Sequence, residues 1–286
     1  MPITPERSQL VFEKLERNLL KLASELKPES VHGFRTGARR VQPLLEELKS
    51  ERNSNEKKLL KLLSRIRKRA GKVRDLDVQL STLRSLKIPQ EPRRKTLLLQ
   101  NLIELRAERE KKLRKSLTKE MAREVRKRLK RAAKDLKPDT LRDPLVVARE
   151  MMARVAHPQG PPTEEILHQY RMVAKRARYA AEFAVKSPEV DQFIAQLKRA
   201  QDALGNWHDW LVLTQSAAKR LGDVHESPLV AVLRNVSGAK YRHAVAALSS
   251  SRLVRADLKR QPPPPSKSRK QGAKTVAPVV PASSAA

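Results

Sequence analysis

Cysteine is absent from the 286 residues. That removes disulfides and thiolate metal sites, and a reducing cytosol fits the composition. Aromatic residues make up 3% of the chain, so there are few rings on which nucleobases could stack. No uninterrupted apolar run approaches the roughly 18 residues of a membrane span, and the N-terminus lacks a signal-peptide core. The reading is a soluble, cytoplasmic protein without a membrane partner. Neither a Gly-x-x-x-x-Gly-Lys-(Ser/Thr) loop nor a His-Glu-x-x-His pair occurs, and no carboxylate cluster has Mg²⁺ spacing, so neither catalysis nor a cofactor is expected. Acidic residues are scarce beside basic ones, 31 against 62, for a net charge of +31. Such an excess points to a polyanionic partner and says nothing about fold.

What the chain does have is a stretch carrying two superimposed helical patterns. Val31, Phe34, Ala38, Val41, Leu45 and Leu48 alternate at three and four residues, which keeps one face of a helix against a neighbour. Beside them run His32, Arg35 and Arg39, with Arg40 flanking. Like charges at this spacing repel by a few tenths of a kcal/mol per pair, roughly, so the ladder opposes its own helix and an anionic partner would offset that cost.

The same stretch is written twice. At an offset of 136 positions the core stripe maps to Leu167, Tyr170, Ala174, Ala177, Ala181 and Ala184, and the basic ladder to His168, Arg171, Lys175 and Arg176. A second pair lies 134 positions apart, Gly71-Lys72-Val73-Arg74-Asp75-Leu76 against Gly205-Asn206-Trp207-His208-Asp209-Trp210. Recurrence of both patterns in register indicates an internal duplication. The paired glycines predict close helix packing, since a mid-helix Gly costs about 1 kcal/mol against Ala. Asp75 and Asp209 are expected to hold ladder cations in place.

Eight helices are predicted. The first runs from Pro5 to about Lys27, with Leu10, Leu15, Leu19, Leu22 and Leu26 as its core stripe, and the ladder helix follows from 29 to 49. A helix at 55 to 86 buries Leu59, Leu63, Ile66, Ala70 and Val73, while Lys61, Arg65, Lys68 and Lys72 form another cationic stripe that could face the same groove. One long basic helix is expected from Pro92 to about Lys137, with 14 Lys or Arg against 4 acids over residues 109–137. The second repeat supplies helices at 141–155, 163–187, 189–221 and 226–250, with Thr163 as an N-cap. Residues 1–138 carry 39 basic and 18 acidic groups, and residues 139–258 carry 17 and 13, so the first repeat dominates the electrostatics. Residues 259–286, with Pro262 to Pro265 and no periodic apolar face, are expected to be disordered. The domain boundaries are therefore 1–138, 139–258 and 259–286.

The four blocks at 31–40, 70–78, 167–179 and 197–209 resemble, in order, those of the CHAD domain, the conserved histidine α-helical domain. The resemblance spans roughly residues 6 to 250; Gly33, Gly37 and Trp207-His208 depart from the usual pattern. It implies an all-α fold of two four-helix bundles related by a pseudo-twofold axis, with a basic central groove that binds inorganic polyphosphate and functional histidines at His32 and His168.

On this reading the binding residues are His32, Arg35, Arg39, Arg40, Lys61, Arg65, Lys68, Lys72, His168, Arg171, Lys175, Arg176 and Arg178, supported by Asp75 and Asp209. Helical rise places Arg35 and Arg39 about 6 Å apart along the axis, a ladder suited to a linear polyanion. Arg forks pair with phosphate oxygens and Lys supplies a point charge. Protonation of His32 and His168 is expected to strengthen binding below about pH 6.5. Association with polyphosphate granules follows from the resemblance. The rival reading is an RNA-backbone binder, which a cationic groove alone does not exclude.

Overall fold

In the computed structural model, residues 5–87, 92–137, 140–155, 162–222, 225 and 227–249 are described. These residues form nine helices joined by short turns, with no strand beyond one isolated antiparallel bridge between Lys49 and Leu141. The helices are α1 (Pro5–Ser24), α2 (Pro28–Pro43), α3 (Ser54–Ser85), α4 (Pro92–Ser116), α5 (Lys119–Lys134), α6 (Pro144–Ala153), α7 (Glu164–Ala181), α8 (Pro188–Leu221) and α9 (Pro228–Ser249). Six of the nine open on a proline, whose fixed φ suits a first turn and whose missing N–H is not needed there. The expected loops at 88–91 and 156–161, the 138/139 boundary and the 259–286 tail lie outside the described residues.

Both core stripes are buried: Val31, Phe34, Ala38, Val41, Leu45 and Leu48 on one ladder helix, and Leu167, Tyr170, Ala174, Ala177, Ala181 and Ala184 on or just past the other. All of these except Ala184 share one hydrophobic cluster drawn from both halves of the chain. A second cluster joins the C-terminal turns of α3 and α8 to Leu98 and Leu102 of α4 and Leu229, Val230 and Leu233 of α9. Pairings recur: α1 packs on α2 as α6 packs on α7, and α3 on α4 as α8 on α9, while α2 meets α7 and α3 meets α8 across the middle.

Three expectations are corrected. The long basic helix is two helices, so nine are seen among the described residues. The Thr118 hydroxyl accepts from the Met121 N–H at 3.2 Å and caps a new start. Leu98 and Leu102 belong to the second cluster whereas Val125 and Leu129 belong to the first, and the break lets α5 return along α1 and α3. Second, α2 does not run unbroken to residue 49: Pro43 lacks the N–H that would close the ladder, and residues Leu44–Leu48 widen into a π-helical turn. Third, Leu10 is 55% exposed and Phe12 takes its place in the core.

Gly33 and Gly37 follow from close approach of α1. A Cβ at Gly37 would lie 3.4 Å from the Leu15 backbone, and one at Gly33 would lie 3.2 Å from the Asn18 amide, which donates to the Gly33 carbonyl at 3.0 Å. The main-chain bridge between Lys49 and Leu141, in which the Arg142 N–H donates to the Leu48 carbonyl at 2.8 Å, ties the end of the π-helical turn to the segment before α6.

Candidate functional site

The two ladder helices lie against each other and against α3 and α8, and this brings their basic stripes together. Arg39 is the hub. Its charge reaches His32, Arg35, Arg67, Arg171 and Lys175. The consequences appear in how tightly each base holds its proton. Burial, then Arg39, pull Arg35 down to about 10, against the opposing pull of Asp75. Burial lowers Arg67 and Arg171 as well, Asp209 resisting at Arg171. Lys175 falls from 10.5 to about 7 through burial, then Arg39, Arg171 and Arg35. Partial desolvation lowers His32, whose edge is exposed, and Arg74, Arg35, Arg39 and Lys175 add to it. Desolvation disfavours the charged form and like charges do the same.

Two carboxylates lie among these cations. Asp75 is ion-paired with the Arg35 guanidinium at 3.7 Å while remaining exposed. Asp209 is more enclosed; burial raises its affinity for a proton, and Arg171 and Lys175 oppose that. Gly71 has a specific task, because the Arg35 guanidinium lies directly over it and a Cβ there would collide with Nη1. Gly205, its counterpart, has nothing within 4 Å of the same position.

The remaining sequence candidates are distributed differently. Lys61, Arg65, Lys68 and Lys72 are exposed on α3. Lys72 lines a separate cleft of about 260 Å³ with Arg69, Arg109, Lys112 and Lys115. The stripe of α3 that faces the ladder is Arg67, Gly71 and Arg74, which the sequence reading missed. Its signal was the Gly71-Arg35 approach: residues four before and three after that glycine share its face.

Arg40, Arg176 and Arg178 are engaged in ion pairs. Arg40 Nε donates to Glu182 at 3.0 Å, and Arg178 reaches the same carboxylate at 3.0 Å while lying 4.7 Å from the Tyr179 ring centroid. Arg176 pairs with Glu46 at 3.2 Å and with Glu47. The offset of 136 residues relates Arg40 to Arg176 and Glu46 to Glu182, so the two cross-helix ion pairs are images of each other.

His168 is exposed, and its ring lies 5.4 Å from that of His208. His208, 134 residues after Arg74, is pushed down to about 4 by burial, then Arg171 and His168. The lone histidines His225 and His243 are exposed, and His157 lies outside the described residues. No group of three or more His, Cys, Asp or Glu side chains suited to a metal occurs among the described residues. None of the described helices is long and apolar enough to cross a membrane.

The profile of the CHAD domain matches residues 8–218, and the chain belongs to that family. The crystal structure of the CHAD domain from the plant Ricinus communis is similar in fold, with a TM-score of 0.59 and 21% identity, over 90% of this chain and 91% of that one. Among curated proteins no match was found.

Proposed function

We propose that this protein is a non-catalytic receptor for inorganic polyphosphate, which it holds electrostatically in a basic groove bounded by α2, α3, α7 and α8. The carrying observation is the convergence of Arg35, Arg39, Arg67, Arg74, Arg171 and Lys175 around two carboxylates, with the bases half-buried and several of them reluctant to hold their protons. Such a cluster repels itself when empty. A flexible linear polyanion, with a charge on every unit, relieves the repulsion all along the ladder, and Arg forks can bind its oxygens in pairs.

The groove is read as the seam between two halves derived by duplication, residues 1–138 and 139–258, each a helical bundle. The recurring helix pairings and the mirrored ion pairs of Arg40 and Arg176 support this. In the cell such a receptor would sit in the cytoplasm and collect on polyphosphate granules, which a fluorescent fusion in polyphosphate-rich and polyphosphate-depleted cells would test.

The decisive experiment sets long-chain polyphosphate against a single-stranded RNA of similar charge, in direct competition at physiological ionic strength. Polyphosphate is expected to win by a wide margin and to lose it when Arg35, Arg39, Arg171 and Lys175 become Ala. Equal affinity would replace this reading with a general phosphate-backbone surface open to RNA.

A further inference from the structure

The two halves of the cationic cluster are not equivalent. In the first, the space over Gly71 is filled by the Arg35 guanidinium. In the second, the matching position over Gly205 is open. Its surroundings follow from helix pairing. Gln201 of α8 donates to the Ala174 carbonyl of α7 at 2.7 Å, and His208 of α8 stacks near His168 of α7 at 5.4 Å. Gly205 lies between Gln201 and His208 on the same face of α8, so the opening sits opposite Arg171, between those two contacts.

The side chains beside that opening have unused hydrogen-bonding capacity, which a change of rotamer would turn towards it. Nε of Arg171 and Nδ1 of His208 are buried and make no hydrogen bond. His168 closes the outer side, and Asp209, one turn from Gly205, interacts electrostatically with Arg171 and Lys175. Three nitrogen-bearing side chains from two helices thus flank the position that the first half fills with its own arginine.

We propose that this opening is a pocket for a terminal phosphate, the end of a polyphosphate chain whose interior runs over Arg39 and the first half; the inference rests on the polyphosphate reading above. An interior unit of the chain carries one strongly acidic oxygen. A terminal unit carries a second, weakly acidic one, comparable to that of a phosphate monoester with a second pKa of about 6, and is close to a dianion at neutral pH. It is the unit that gains most from several short-range donors. Arg171 supplies a permanent cation, and the neutral imidazole of His208 can still donate one N–H. The first half offers no such recess and binds the chain along its length. Free orthophosphate has the same chemistry as a chain end, so the two must be separated by experiment.

The test compares a short linear polyphosphate of defined length with the same chain esterified at both ends, each titrated by calorimetry, with orthophosphate as a third titrant. The free-ended chain is expected to bind about tenfold more tightly than the capped one, the worth of one charge-assisted hydrogen bond. Gly205→Met, which fills the recess, and His208→Gln are each expected to bind the two chains equally, with helical circular dichroism confirming the fold. Equal binding by the unaltered protein overturns the chain-end pocket and leaves the polyphosphate reading intact. Failure of both chains to bind overturns both. Orthophosphate displacing the chain end at comparable concentration assigns the pocket to free phosphate and overturns the chain-end assignment.

Discussion

Lys175 is the residue on which pH should act. Its ammonium is held down to about 7 by burial and by Arg39, Arg171 and Arg35, whereas in the unfolded chain it titrates near 10.5. Between those values the unfolded state binds more protons, so the folding stability of the empty protein rises with pH across that window and is lost as pH falls through about 7. Lys175→Met should therefore flatten the rise, which urea midpoints at pH 6 and pH 9 would reveal. A bound polyanion reverses the balance by favouring the charged amine. Binding in the window is expected to take up a proton, seen as a dependence of the calorimetric heat on buffer ionisation enthalpy that disappears in the variant. The sequence pointed instead to His32 and His168, because their reference values lie near neutrality; burial among cations moves His32 further down and brings a lysine into range. The glycines make a second contrast. Gly205→Ala should stabilise the protein by about 0.5–1 kcal/mol, the ordinary helix gain, since nothing opposes its methyl. Gly71→Ala must displace Arg35 and should weaken polyphosphate binding several-fold, as a titration of the two variants side by side would show.

At the level of single elements, the helices that could be read from sequence were those with a chemical start or stop. Prolines at 28, 92, 144, 188 and 228 and the caps at Asn53 and Thr163 mark beginnings within a residue or two. The break before α5 has no such mark except Thr118, because tertiary packing directs it. The apolar phase runs on through Leu113, Leu117 and Met121, and only the division of the core into two clusters requires a turn. The candidate site was legible on α2 and α7 for the reason that each carries one copy of the ladder, in register with the other. On α3 the stripe that meets α2 is not the one named from the sequence, since Lys and Arg occupy nearly every face of that helix and charge alone cannot say which one packs there. One cap is unusually consequential. Glu56 is fully buried, accepts from the Asn53 N–H at 2.9 Å and pairs with Lys49. Glu56→Ala leaves that lysine and that N–H without their partner and should cost about 3 kcal/mol, against about 1 kcal/mol for Thr118→Ala, both measurable by chemical denaturation.

For the whole molecule, the charge that on the proposed function would recruit the polyanion works against the fold, so salt should act with opposite signs on the two. Added salt is expected to raise the melting temperature of the empty protein by screening the cluster and to weaken polyphosphate binding. On the proposal that six cations face the chain, the slope of log affinity against log salt should be about −4. A slope near zero would mean that the cluster is not where the polymer lies.

The mirrored ion pairs carry a historical consequence. Arg40 with Glu182 and Arg176 with Glu46 form a self-complementary contact, the kind by which a subunit meets an identical copy of itself. On the proposed duplication, the ancestor was a half-length chain that worked as a homodimer, and every change in its cationic face appeared on both sides at once. Fusion ended that constraint. Arg39 against Lys175, and Arg74 against His208, are substitutions that only one side received, and a single covalent chain can keep one half as a permanent anchor while the other half evolves a new preference.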